Sequence, residues 1–340
     1  MLYSAVILYI FEFTNKYNTM PRILVIGAGG QIGSELTKAL RELNGPENVI
    51  ASDIGYHNTY IVNSGIFEIV DAQDYDSIKA CIDKHQIDTI YLMAAMLSAT
   101  GEKFPMKAWD LNINSLFHVL NLAKDGIIKQ LFWPSSIAVF GPSTPVLDTP
   151  QHTVAEPTTV YGITKQVGER WCEYYHNKYG VDVRSLRYPG IISWKTMPGG
   201  GTTDYAVEIY HKAVLDKRYE CFLSENTKLP MMFMDDAIKA TVKLMQASSD
   251  TVKIRSSYNL AAISFTPKDI FEAIQKHIPD FKITYKPDSR QDIADSWPQS
   301  IDDSAARADW NWSHNFDVDK MTEEMITQLR NKYKDSTLTQ

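Results

Sequence analysis

Cysteine is scarce in this sequence: Cys81, Cys172 and Cys221 are the three in 340 residues, and they stand at neither metal-binding nor redox spacing. They exclude a disulfide framework and point to a reducing compartment with buried or incidental thiols. No Cys/His cluster has the spacing of a zinc site, so no metal is expected. Basic charge is in deficit, with a formal net charge of −7, so no global field draws the chain to nucleic acid or an anionic membrane. Long apolar runs are also missing. Met1–Phe13 is almost wholly apolar, yet shorter than the roughly 20 residues a spanning helix needs. It lacks the basic flank of a secretory signal and the arginines of a mitochondrial presequence. Residues 1–19 are therefore read as a leader outside the fold, with Met20 a candidate start. Repeats, low-complexity tracts and clear linkers are absent as well.

What is present is ordinary globular composition, 44% hydrophobic and 22% charged. The chain is long enough to bury a large core in one extended domain or two closely packed ones. From Arg22 onward, short apolar runs alternate with amphipathic stretches. Strands are expected at 22–26, 49–52, 67–70, 89–94, 130–133 and 181–187. Between them the pattern predicts helices over 31–43, 75–84, 109–123 and 159–179. Continuous apolar strands alternating with helices predict a parallel sheet covered on both faces, a Rossmann-type doubly wound α/β fold. After Arg187 the alternation degrades into mixed short elements. Pro198 and Gly199–Gly201 form a breaker cluster, read as a mobile loop before a helix near Thr202. The expected division is a nucleotide-binding domain over 20–190 and a small mixed α/β substrate cap over 191–340, interleaved with the last sheet strands.

The first strand runs into Gly27-Ala28-Gly29-Gly30-Gln31-Ile32-Gly33. Glycines permit a tight turn, close approach of a pyrophosphate and tight helix packing. The amides at the helix start, around Gln31 and Ile32, then face the phosphate charge. Asp53 ends the second strand 20 residues beyond Gly33, the place for a carboxylate that accepts from the adenosine ribose hydroxyls. It would repel a 2′-phosphate, and no Arg or Lys follows in 54–64, so NAD is expected over NADP. Asp71 is placed to meet the adenine amino group, or is an ordinary loop carboxylate.

Tyr161 and Lys165 stand at i and i+4, on one helix face. Oxidation of a hydroxyl needs a base for its proton, and a free tyrosine, with a pKa of about 10, is a poor one at neutral pH. Lys165 and a cationic nicotinamide are expected to favour the phenolate. Ser135 and Ser136 lie in the 133–141 segment, Ser136 being 25 residues before Tyr161; either could anchor the reacting oxygen, the other closing the strand end.

Several segments together carry a resemblance: 133–141 before Tyr161-x-x-x-Lys165, Leu92-Met93-Ala94-Ala95, Asn112-Ile113-Asn114 and Met234-Asp235-Asp236-Ala237. On these the chain resembles the extended short-chain dehydrogenases/reductases, from Arg22 to the C-terminal helix. The resemblance implies Ser136 as hydroxyl anchor, Tyr161 as acid/base, Lys165 as ribose ligand and Asn112 as supporting helix residue. It sets Leu92, Ala94, Ala95 and Tyr188 beside the cofactor. It also implies a homodimer pairing the helices near 109–123 and 159–179, and, from eukaryotic members, a mitochondrial location; otherwise the cytoplasm is expected.

The resemblance, carried further by 186–193, 198–206 and Ser296-Trp297-Pro298, implies a small zwitterion as substrate. The basic residues and strand-end segment of a nucleotide-sugar enzyme are replaced by 186–193 and the glycine-rich 198–206. Ser98, Thr202 and Thr203 offer hydroxyls for its polar groups, and Trp297 a wall, though Ser98 and Thr203 read equally as caps and Trp297 as core. The competing readings are an NAD-dependent nucleotide-sugar epimerase or dehydratase, and a non-catalytic NAD sensor.

Overall fold

The computed structural model of the chain describes residues 20–197 and 201–338. The expected leader, 1–19, and most of the breaker cluster, 198–200, lie outside them. The strands are β1 (Ile23–Ile26), β2 (Val49–Asp53), β3 (Phe67–Ile69), β4 (Thr89–Leu92), β5 (Gln130–Phe132), β6 (Ser135–Ser136) and β7 (Asp182–Arg184). They continue with β8 (Leu186–Tyr188), β9 (Gly190–Ile192), β10 (Arg218–Cys221), β11 (Leu229–Phe233), β12 (Tyr258–Asn259), β13 (Ile263–Phe265) and β14 (Lys282–Tyr285).

The chain divides into two interleaved units. One takes the chain up to Met96, with Trp109–Trp133 and Trp171–Arg184; the other takes Leu97–Ala108, Pro134–Arg170 and everything from Ser185. The second unit thus takes in 97–108 and 134–170 along with the C-terminal residues.

In the first unit, every residue of β1 and β4 is buried, as in a sheet covered on both faces. The sheet has six strands in the order β3-β2-β1-β4-β5-β7, all parallel. The order reverses between β1 and β4. Such a sheet binds ligands outside the carboxyl ends of the strands at that reversal. Helix Gln31–Asn44 buries Gly33, Leu36 and Leu40, at the spacing of one helical face. Trp133, Cys172 and Val183 join the core of this unit.

Two expected elements are broken. The stretch expected as one helix over 109–123 contains a wide π turn, Asp110–Asn114, before Ser115–Lys124. The strand expected over 181–187 is interrupted at Ser185: β7 pairs with β5, whereas β8 pairs with β6 and β12.

The second unit holds three small sheets, β12-β8-β6, β13-β11-β9 and β10-β14. Its main core gathers Tyr205, Tyr210, Leu229, Phe233, Phe281 and Met325. Asp236, in the 234–237 segment, is buried and accepts from the amides of Asn315 and Phe316, which ties down the approach to helix Val318–Leu338. Among the described residues no helix is long and apolar enough to cross a membrane.

Candidate active site

The glycine turn of the first unit is built by backbone pairing at the ends of β1 and β2. The carbonyl of Ile26 accepts from Met93 and Ala94, and that of Ser52 from Gly27 and Ala28. Gly27 has φ +88°, and a Cβ there would lie 2.5 Å from the Ala94 nitrogen. A Cβ on Gly33 would lie 2.2 Å from the Gly27 carbonyl oxygen. Only glycine fits either place. Gly30 caps the following helix, whose first turn, with Gln31 and Ile32, carries no acidic residue. Its exposed amides and dipole therefore suit an anion.

Asp53 closes the turn. Its Oδ2 accepts from the Gly29 amide at 2.9 Å and its Oδ1 from Ile54 at 2.8 Å. A Cβ on Gly29 would stand 2.8 Å from that carboxylate. A cradle that any side chain would fill, with a carboxylate at its rim, fits a dinucleotide whose ribose hydroxyls donate to Asp53. Asp53→Ala is expected to erase the preference for NAD over NADP, read as the ratio of the two dissociation constants. An unchanged ratio would show that other groups set it.

Asn112 lies buried in the π turn and clamps one backbone unit: its Oδ1 accepts from Met96 N at 2.7 Å and its Nδ2 donates to Met96 O at 3.1 Å. It thereby holds the segment leaving β4, where Leu92 is buried and Ala94 and Ala95 are half-buried. Asp71 is exposed and accepts from the Gln73 amide, the arrangement of an ordinary turn carboxylate. Sequence reasoning missed Arg41. Its buried guanidinium donates to the carbonyls of Ile61 and Ile66 and to Ser64, holding the segment between β2 and β3.

In the second unit, the part of helix Val160–Tyr179 that runs to Arg170 presents Tyr161 and Lys165 one turn apart. The Ser136 side chain stands beside the Tyr161 hydroxyl, close enough to lower the pKa of the phenol, and Ser136 Oγ accepts from the Ala138 amide at 3.2 Å. Ser135 points elsewhere: it is buried and donates to Glu169 Oε1 at 2.7 Å. The hydroxyl beside the phenol is that of Ser136. Gly162 makes this approach possible, since a Cβ there would lie 2.2 Å from the Ala138 carbonyl oxygen.

Lys165 is buried, and its Nζ donates to Pro134 O at 2.6 Å. Burial pushes the Tyr161 phenol up to about 12, while the Ser136 hydrogen bond pulls it down. Desolvation is the larger of these two effects. The ammonium is held against the Pro134 carbonyl and stands 5.5 Å from the centre of the phenol ring, where Coulombic attraction is weakened by distance.

The remaining expected residues divide. Ser98 opens helix Ser98–Lys103 and is half-buried. Thr202 is buried and Thr203 half-buried in the turn Thr202–Asp204. The Thr203 side chain lies against Gly190, where a Cβ would come within 2.8 Å of it. Trp297 is half-buried and packs against both apolar clusters of this unit. Tyr188 is buried with its hydroxyl paired to Thr241. Among the described residues no three His, Cys, Asp or Glu side chains converge as a metal site.

The sequence profile of the NAD dependent epimerase/dehydratase family matches residues 23–261. An uncharacterized epimerase/dehydratase of Staphylococcus haemolyticus is 48% identical over 315 residues, 92% of this chain and 99% of its own. The holo form of a GalE-like L-threonine dehydrogenase from Cupriavidus necator is 54% identical with a TM-score of 0.88, over 91% of this chain and 100% of that one. A monomeric L-threonine 3-dehydrogenase from a metagenome, in apo form, is 51% identical with a TM-score of 0.86, over 91% of this chain and 99% of that one.

Proposed function

The chain belongs to the NAD dependent epimerase/dehydratase family, and from that premise we propose that it oxidises the C3 hydroxyl of L-threonine. The products are L-2-amino-3-oxobutanoate, NADH and a proton. The observation that carries this reading is the Ser136 hydroxyl beside the Tyr161 phenol, on the helix face that also bears Lys165. The substrate is favoured by the two threonine dehydrogenases described above and by the absence of a nucleotide-sugar strand-end segment.

In the proposed reaction Ser136 donates a hydrogen bond to the substrate oxygen and orients it. Tyr161, as phenolate, accepts the C3 hydroxyl proton. Lys165, on the same helix face, would hold the ribose of the bound dinucleotide and favour the phenolate. Gly27, Gly29, Gly33 and Asp53 would hold the dinucleotide, which when bound supplies the acceptor for the hydride leaving C3. Ser98, Thr202 and Thr203 offer hydroxyls to the carboxylate and ammonium. No metal is required, because Ser136 and Tyr161 between them polarise the oxygen. The test is NADH formation from L-threonine and NAD⁺, with and without a chelator. Equal rates in both are expected. Silence with threonine, together with turnover of a UDP-sugar without net NADH, would replace this reading by an epimerase.

A homodimer is part of the same proposal. Phe117, Trp171, Tyr174 and Tyr179 form a chain of ring contacts on helices Ser115–Lys124 and Val160–Tyr179, and Tyr174 and Tyr179 are each 46% exposed. Such an apolar patch suits an interface. One similar protein is monomeric, so sedimentation decides: a mass twice that of the chain is expected, and a single-chain mass overturns the dimer. The bacterial relative favours the cytoplasm over the mitochondrial expectation, and fractionation of the source cells tests it.

A further inference from the structure

The strand that carries Ser136 is too short to hold itself in place. β6 is two residues long and its ladder is a single one, Ser135 to Arg187 and Ser136 to Tyr188. Instead it is pinned residue by residue to one helix face. Pro134 O accepts from Lys165, Ser135 donates to Glu169, and Ser136 pairs with Tyr161. Tyr161, Lys165 and Glu169 stand at i, i+4 and i+8, which is one face of a helix.

Of the three pins, the middle one rests on an ion pair. Glu169 is buried and takes a bidentate pair from buried Arg187, Nε to Oε1 at 2.8 Å and Nη2 to Oε2 at 2.7 Å. Arg187 in turn donates to Asn259 Oδ1 and to the Gln151 carbonyl and lies over the Phe140 ring. Fork-to-fork pairing fixes the carboxylate in direction as well as position, and a hydroxyl bonded to a charged acceptor is held more strongly than one bonded to a neutral group.

We propose that Ser135, anchored on the Glu169–Arg187 ion pair, is a positioning residue that aligns the neighbouring Ser136 hydroxyl with the Tyr161 phenol. This rests on the reading of Tyr161 as the proton acceptor. Ser136 is the one side-chain hydrogen bond that favours the phenolate against burial. A loosened Ser135 therefore weakens that bond and makes the phenol harder to ionise.

The experiment is the pH dependence of turnover in Ser135→Ala, with melting temperature and NAD affinity alongside. Loss of the anchor is expected to cut kcat about tenfold and to move the limb that rises with pH toward higher pH, with NAD affinity unchanged. Glu169→Gln keeps an acceptor for Ser135 but leaves Arg187 without its counter-charge. It is expected to melt lower than Ser135→Ala yet to shift the limb less. A limb that stays put in Ser135→Ala, or displacements that follow melting temperature in both variants, would overturn the proposal. If Glu169→Gln does not fold, the Ser135→Ala limb decides alone. Failure of the base assignment is read separately, from Tyr161→Phe.

Discussion

Tyr161→Phe is expected to lower turnover about 10²-fold or more, the contribution of a positioned acid or base, while NAD binding is retained. The change deletes one oxygen from a half-buried ring and leaves the packing of the aromatic body in place. Ser136 keeps its bond from the Ala138 amide, and the glycine turn with Asp53 does not involve Tyr161. A 10²-fold loss corresponds to about 2.7 kcal/mol of transition-state stabilisation. The pH dependence sharpens the test. Burial sets the phenol high, at about 12, and the reactive form is the deprotonated one. Turnover of the parent enzyme should therefore rise with pH on the alkaline side, since each step upward ionises more of the phenol. The variant has no phenol to ionise, so that limb should vanish. A variant that keeps both its rate and its limb would remove Tyr161 from the chemistry.

The parts of this site legible in the sequence are those whose chemistry is local. The turn after β1 needs glycine at 27 and 33 because backbone atoms of near neighbours in the fold leave no room for a Cβ, and such glycines mark the place on their own. Asp53 follows from its position at the end of β2. Tyr161 and Lys165 declare themselves through helical spacing. Ser135 and Ser136 do not, because two adjacent serines have the same local chemistry. Only Glu169, 34 residues further along, separates them. Its spacing from Lys165 is a signal that was available: a carboxylate one turn beyond the lysine, on the same face. Arg187 carries no such mark, since its pairing with Glu169 is set by the break between β7 and β8. That break depends on which strand each half can pair with, and the apolar pattern of 181–187 is the same either way. Asn112 was legible as a residue, but the π turn that aims it at Met96 was not, because a single widened turn does not disturb the helical period of 109–123. The direction of the Tyr161 pKa also needed the structure. Proximity to a lysine was visible in the spacing, whereas the depth of burial and the competing Pro134 carbonyl were not.

Gly162→Ala sets local preference directly against the fold. Alanine is the better helix former, by about 1 kcal/mol in a helix interior, so propensity alone foretells a sturdier and fully active protein. The surroundings foretell the opposite. The added Cβ would meet the Ala138 carbonyl oxygen at 2.2 Å and Pro157 Cβ at 2.7 Å. A backbone carbonyl cannot swing aside as a long side chain can, so either the helix start or the turn Ile137–Val139 must retreat. Tyr161 is bonded to Gly162 in sequence, and the Ala138 amide donates to Ser136 Oγ. Whichever side gives way, the two ends of the Ser136–Tyr161 pair move apart. A misplacement of about 1 Å in such a pair is enough to cost on the order of 10²-fold. The expected result is a loss of kcat of that size with NAD affinity preserved, and a melting temperature no higher than the parent's. An active and stabilised Gly162→Ala enzyme would mean that the helix start has slack at this point, and that the close approach of Tyr161 to Ser136 is not what the glycine is for.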